Sequence, residues 1–382
     1  MSSKLLSKWL LPEAAGRWSV PSGAKVVTGL AHRFDFVFRG LGHLESRLLR
    51  RPLQEWPVDR PVYVVGIARA GTTITLELLH HHPAVATHRY YHLPIPHLPH
   101  WSSRLIASLP LAAAPPVERI HADRLQITKD SPEMVEERIW MAHFPHLHRE
   151  DRSNVLQADT HNTRFRRAYT DHIRKLCYTQ ARPRYAAKNN NLVTRLPYLH
   201  RLFPDARFVL VVRQPVAHVA SLHKQQQLFC KLCDADPGLE RYMAMVGHYE
   251  FGPHQQFIHT GSNEAMRQIR AHRQAHRHAE ALATYWASIY GSIATLLESD
   301  AGLAAATRVV RYEDLCRDSG PTIDGILRHA ELDPGPFTET RAHYAATLTE
   351  PDYYRHGFSD AQVDAIRAIT APVASHFGYG AL

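Results

Sequence analysis

The sequence predicts an α/β fold in three layers: a central parallel sheet flanked by helices, with helical insertions. Two observations carry that prediction. Short runs rich in β-branched residues occur three times, two of them uninterrupted and apolar, and each is followed by a stretch whose apolar residues have helical spacing. A strand that is apolar on both sides must be covered on both faces, and helices above and below a parallel sheet provide that cover.

The first unit follows Pro57: Val62-Tyr63-Val64-Val65 ends at Gly66, and Ile74, Leu76, Leu78 and Leu79 give Thr72 to His81 a helical period. The second runs through Phe208-Val209-Leu210-Val211-Val212, breaks at Arg213-Gln214-Pro215 and enters a helix with Ala217, Val219, Ala220 and Leu222. A third strand is expected from Thr307 to Tyr312, with a helix from about Pro321 to Leu332. The long stretches between units, at about 88–180 and 225–300, read as insertions over one edge of the sheet, where binding pockets are usually built. The main domain is therefore expected over 57–382.

Residues 1–56 read as an N-terminal helical extension. Phe34, Phe36, Val37, Leu41, Leu44 and Leu48 recur near helical spacing, with Arg33, Arg39, Arg47, Arg50 and Arg51 interleaved. The expected arrangement is a packing helix with a solvated basic face, in preference to a helix lying on a membrane surface.

With 45 Lys and Arg against 36 Asp and Glu, the 382-residue chain favours anionic partners. A hydrophobic fraction of 45% and a charged fraction of 21% are those of a globular protein, not a disordered one. No motif supports nucleic-acid binding. Four cysteines, Cys177, Cys230, Cys233 and Cys316, form no disulfide framework and point to a reducing compartment. Met1 to Leu11 has Lys4 and Lys8 but no signal-peptide core, and no run reaches the length of a membrane span. A cytoplasmic location is expected, with room for peripheral membrane contact.

Gly66-Ile67-Ala68-Arg69-Ala70-Gly71-Thr72-Thr73 joins the first strand to its helix. Backbone N–H groups at such a turn converge on an anion, and the helix dipole adds to the attraction. A nucleoside-triphosphate loop would carry Lys where Thr72 stands. The cation here is Arg69, inside the loop.

This segment resembles the 5'-phosphosulfate loop of sulfotransferases that use 3'-phosphoadenosine 5'-phosphosulfate (PAPS), written Pro-(Arg or Lys)-Ser-Gly-Thr-Thr. Ala68 replaces the Pro and relaxes the turn; Ala70 replaces the Ser and removes a hydroxyl donor. The family's 3'-phosphate motif, an Arg ending a strand and a Ser eight residues later, is matched by Arg213 and Ser221. Further similarity lies in Tyr185 to Asn189, Phe203 to Phe208 and Arg311 to Leu315, within roughly residues 60 to 335.

The resemblance implies a P-loop-like fold and sulfuryl transfer from PAPS to a small-molecule, glycan or lipid hydroxyl or amine. It assigns the donor to Arg69, Ala70, Gly71, Thr72, Thr73, Arg213 and Ser221, with Arg69 also stabilising charge on the leaving phosphate and no metal required. The family's base is a His in some branches and a Glu in others. His121 ranks first here, with Asp123 to orient it; His92 comes second, then Glu133 from the set Glu133, Glu136 and Glu137, while His97 and His100 lie in the same region. Lys188 is balanced between donor contact and surface charge, and Tyr312 to Leu315 is expected to be structural.

Ordinary helix residues are favoured for the Cys230/Cys233 pair, and a solvated helix face for His272, His276 and His278. Trp56, Trp101, Trp140 and Trp286 are expected to fill cores before they stack an acceptor ring. The rival functions are a catalytically inactive nucleotide- or glycan-binding protein on the same fold and a P-loop kinase.

Overall fold

A computed structural model describes residues 20, 22–108, 115–349 and 357–380. The expectation on Met1 to Leu11 lies outside them.

Five parallel strands form the central sheet: β1 (Asp59–Val65), β2 (Val85–Ala86), β5 (Arg184–Lys188), β6 (Arg207–Val212) and β7 (Thr307–Arg311). Their order is β2-β5-β1-β6-β7. A separate antiparallel hairpin pairs β3 (Val117–Glu118) with β4 (Gln126–Ile127). β1 lies at the centre, with Val62 beside Ala186 of β5 and Arg207 of β6.

Alternation explains why β1 and β6 carry continuous apolar runs. Tyr63, Val65, Phe208, Leu210 and Val212 enter one core with the helices Thr163–Gln180, Pro215–Ala235, His278–Ser299 and Asp360–Ala374. Val62, Val64, Val209 and Val211 enter the other with Thr72–His80 and Ser319–His329. The three-layer expectation holds, with β2 and β5 added.

Three details differ from the sequence reading. Tyr312 begins the helix Tyr312–Arg317 instead of ending β7. The stretch 225–300 does not merely overhang one edge: His278–Ser299 covers a sheet face, with Trp286 and Tyr290 buried and the Tyr290 hydroxyl donating to the Val211 carbonyl at 3.1 Å. His272 and His276 do not share a helix, since Asn263–Gln274 ends before His276, whose φ is +57°.

The N-terminal helices keep Arg33, Arg47, Arg50 and Arg51 exposed, as expected, but pack through a face other than the apolar one. Ser22–Arg33 buries its small residues Gly23, Ala24, Thr28 and Ala31 and packs on Pro237–Val246. Asp35–Leu48 buries Gly42 and Glu45, and Glu45 ion-pairs with the buried Lys175 at 2.8 Å. A Cβ at Gly42 would lie 2.8 Å from the His97 carbonyl oxygen, so glycine sets the close approach of this helix. Phe36, Leu44 and Leu48 are left exposed, Phe36 at 67%.

Candidate functional site

The loop after β1 contains three left-handed or related residues, Gly66 (φ +151°), Arg69 (φ +71°) and Gly71 (φ +106°). Positive φ costs little at glycine but of order 1 kcal/mol at Arg69. A Cβ at Gly66 would meet the Val211 carbonyl oxygen at 2.7 Å, and one at Gly71 would meet Tyr312 Cδ2 at 2.4 Å. His218 Nε2, on the helix Pro215–Ala235, bonds to the Ala68 carbonyl at 2.9 Å and holds the turn from behind. Burial pushes the His218 imidazole down to about 3, so the ring is neutral and Nε2–H donates.

Gly71 caps Thr72–His80 without a side-chain hydrogen bond. The first N–H groups of that helix are thus not occupied by a capping side chain, which is the arrangement an oxyanion requires.

The two motifs anticipated from sequence meet on Arg69. Arg213 Nη1 donates to the Arg69 carbonyl at 3.2 Å, and Arg69 Nε donates to Ser221 Oγ at 3.2 Å. The Arg213 guanidinium lies 4.8 Å from the centre of the Tyr312 ring, whose edge also bounds Gly71. Glu313 accepts from the Gln214 N–H at 2.9 Å and from the Tyr379 hydroxyl at 2.6 Å; Asp314 pairs with Arg311. The segment from Tyr312 therefore does structural work behind the loop.

Facing the loop is the turn after β3. Asp123 bridges Arg69 Nη1 at 2.7 Å and Arg119 Nη2 at 2.5 Å, and Arg119 Nη1 reaches Thr73 Oγ1 at 3.3 Å. Burial acts to raise the Asp123 carboxyl, but Arg119 and then Arg69 hold it far below the usual range. Asp123 consequently serves the two arginines and makes no hydrogen bond to His121 among the described residues.

His121 is oriented by Gln225. Its Nδ1 is 3.0 Å from Gln225 Oε1, and Gln225 Nε2 donates to the His121 carbonyl at 2.8 Å. The amide oxygen can only accept, so the proton is on Nδ1 and the lone pair on Nε2. Burial, then the charges of Arg119 and Arg69, hold this imidazole well below its usual value. Phe229, Phe251 and His248 surround the ring.

The other candidates are separated by their partners. His92 is buried with His88; its Nδ1 accepts from the Arg89 N–H at 3.0 Å and its Nε2 bonds to Ser103 Oγ at 3.0 Å, so both nitrogens are engaged in local structure. His97 pairs with Asp35 and His100 with Thr179. Glu136 accepts from Trp140, Tyr169 and Tyr185, while Glu137 takes a two-point bond from Arg195 at 2.8 and 2.7 Å. Both glutamates are architectural.

Glu133, partly buried, lies in a charged group with the buried Lys188 and Arg119 and the partly buried His248. Burial raises its carboxyl, and Lys188, His248, Tyr90 and Arg119 bring it below the ordinary value. Lys188, at the end of β5, is 6% exposed, which removes the surface-charge alternative; burial lowers its ammonium. Burial also opposes the charge on His248, but Glu250 at 2.9 Å raises the imidazole, and Glu250 is itself held at about 2.

No group of His, Cys, Asp or Glu among the described residues is arranged to hold a metal ion. Cys230 and Cys233 lie on Pro215–Ala235, and Trp140 and Trp286 are core residues. Trp56 and Trp101 are half-buried.

A model of the sulfotransferase family matches residues 61–336. The chain belongs to the sulfotransferase family. Both motifs and the Asp123, His121 and Glu133 groups fall within the matched part of this sulfotransferase-family chain. Its fold is similar to that of sulfotransferase STF9 from Mycobacterium avium, with 17% identity over 87% of this chain and 81% of that one and a TM-score of 0.50. Sulfotransferase STF1 from Mycobacterium tuberculosis H37Rv aligns at 16% identity, covering 91% and 87%, with a TM-score of 0.46. A comparison with curated proteins finds no match. No helix among the described residues is long and apolar enough to cross a membrane.

Sequence reasoning missed Gln225 and the partly buried His248–Glu250 pair. Neither has a local signal: Gln225 lies 104 residues from His121 and is recognisable only once the two are in contact.

Proposed function

We propose that residues 57–382 form a sulfotransferase domain that moves a sulfuryl group from PAPS to a hydroxyl or amine of a small-molecule, glycan or lipid acceptor. The observation that carries this reading is the convergence of Arg213 and Ser221 on Arg69, within a loop whose helix N-terminus has no side-chain cap. Such a site suits a nucleotide with one phosphate at each of two positions.

The acceptor oxygen or nitrogen attacks sulfur in line, the bond from sulfur to the 5'-phosphate oxygen breaks, and 3'-phosphoadenosine 5'-phosphate leaves. Arg69 and the N–H groups of Gly71, Thr72 and Thr73 stabilise the charge arriving on that oxygen. Arg213 and Ser221 hold the 3'-phosphate. The acceptor proton passes to His121 Nε2, whose availability Gln225 secures.

The test is donor-product binding and transfer in Arg69→Ala and Arg213→Ala. Calorimetry with 3'-phosphoadenosine 5'-phosphate and transfer from radiolabelled PAPS to a panel of acceptor classes are expected to show losses of at least about a hundredfold. Unchanged binding in both variants would remove the donor assignment, and ATP turnover in its place would indicate a kinase. Tight glycan binding with PAPS left intact would favour the inactive binder.

A further inference from the structure

Seven of the nine exposed large hydrophobic residues among those described lie between Val26 and Leu48. They are Val26, Leu30, Phe34, Phe36, Val37, Leu44 and Leu48. An eighth, Leu105, is on Pro99–Ser108, which is joined to the same place because the Trp101 N–H donates to Glu45 at 2.7 Å. Scattered apolar residues on a surface need no explanation, but a cluster of this kind marks a contact.

The helices reach this state by docking through the wrong side for an ordinary packing helix. Asp35–Leu48 is fixed by the Glu45–Lys175 pair and by the bond from His97 to Asp35 at 3.0 Å. Phe34, Val37, Leu41, Leu44 and Leu48, spaced three and four apart, share another face. On Ser22–Arg33 the small residues face inward, leaving Val26 and Leu30 outside.

Charge identifies the occupant. From Ser22 to Arg51 the acidic residues are Asp35 and Glu45; Asp35 pairs with Arg39 and Arg138, and Glu45 with Lys175. Arg33, Arg47, Arg50 and Arg51 are exposed and have no ion pair among the described residues. An apolar stripe beside a cationic one matches an anionic bilayer, with acyl chains below and phosphate headgroups at the rim. We infer that the face formed by Ser22 to Arg51 docks on an anionic membrane surface.

The location gives the contact a use. Ser22–Arg33 packs on Pro237–Val246, whose Tyr242 lies within electrostatic reach of Glu133. Lipid contact would therefore be made one helix behind the charged group of Glu133 and Lys188.

Flotation of the full chain with phosphatidylcholine vesicles, with and without about one-third phosphatidylglycerol, tests the inference. Binding is expected only with the anionic lipid, weakening in high salt. Removing cations by Arg47→Gln, Arg50→Gln and Arg51→Gln should lower partitioning about fivefold each. The triple substitution Phe36→Glu, Leu44→Glu and Leu48→Glu should abolish it. Both sets should keep the wild-type melting temperature and affinity for 3'-phosphoadenosine 5'-phosphate, readouts that separate this surface from the donor site. Flotation independent of phosphatidylglycerol, no flotation, or a wild-type dimer in sedimentation velocity that the apolar variant alone dissociates would overturn it; the last would assign the face to a second copy.

Discussion

Asp123 Oδ2 stands 2.7 Å from Arg69 Nη1, so the loop cation faces a carboxylate that it shares with Arg119. In the proposed reaction the arriving donor would compete for that guanidinium. Removing the carboxylate by Asp123→Asn should leave the buried Arg119 without its counter-charge and lower stability by about 3 kcal/mol. The measurement is the urea midpoint, and wild-type stability would refute the structural role given to Asp123.

Gln225 fixes the His121 tautomer, which makes two variants informative. His121→Asn should reduce kcat by a hundredfold or more with unchanged affinity for 3'-phosphoadenosine 5'-phosphate. Gln225→Leu should reduce kcat about tenfold, as rings with the proton on Nε2 accumulate. Because burial, Arg119 and Arg69 lower the imidazole, the acid limb of kcat/KM should fall below pH 6.5. If His121→Asn retains full turnover, Glu133→Gln is the next variant in the same assay.

Gly71→Ala introduces a Cβ 2.4 Å from the Tyr312 ring at a φ of +106°. The loop must shift, so affinity for 3'-phosphoadenosine 5'-phosphate should drop at least about tenfold, with a stability loss of about 1–2 kcal/mol. Isothermal titration together with thermal melting distinguishes this from global unfolding.

Acid should unfold the protein through its paired carboxylates. Glu250, Glu137 and Asp123 all have folded values below their ordinary ones, so their stabilisation is fully present above about pH 4.5 and is lost as pH falls through those folded values. Glu250 alone, held at about 2, contributes roughly 3 kcal/mol, at 1.36 kcal/mol per pH unit. Circular-dichroism melting between pH 5 and pH 2 should show a steep decline, and Glu137→Gln should begin from a lower melting temperature because it leaves Arg195 buried beside a neutral amide. A flat profile would contradict these pairings.

Much of the sheet was legible in the chain because continuous apolar runs report burial on both faces, as in β1 and β6. β5 was not legible as a strand: Arg184-Tyr185-Ala186-Ala187-Lys188 has no β-branched residue and begins and ends on a cation, yet all five residues are buried. Arg184 is satisfied by carbonyls of Asp59, Arg60, Ala330 and Glu331, and Lys188 faces Glu133. Those partners come from distant parts of the chain.

What the sequence by itself determined was the placement of Arg69 in a strand-to-helix loop and the spacing of Arg213 and Ser221, since local spacing controls where a loop and a helix face lie. Tertiary structure alone decided that Asp123 serves Arg69 while Gln225 orients His121, that His92 is held by Arg89 and Ser103, and that the N-terminal apolar stripe faces outward. A hydrogen bond depends on which atoms meet within about 3 Å. Periodicity can identify an apolar face, but the buried Glu45–Lys175 pair determines which way that face points.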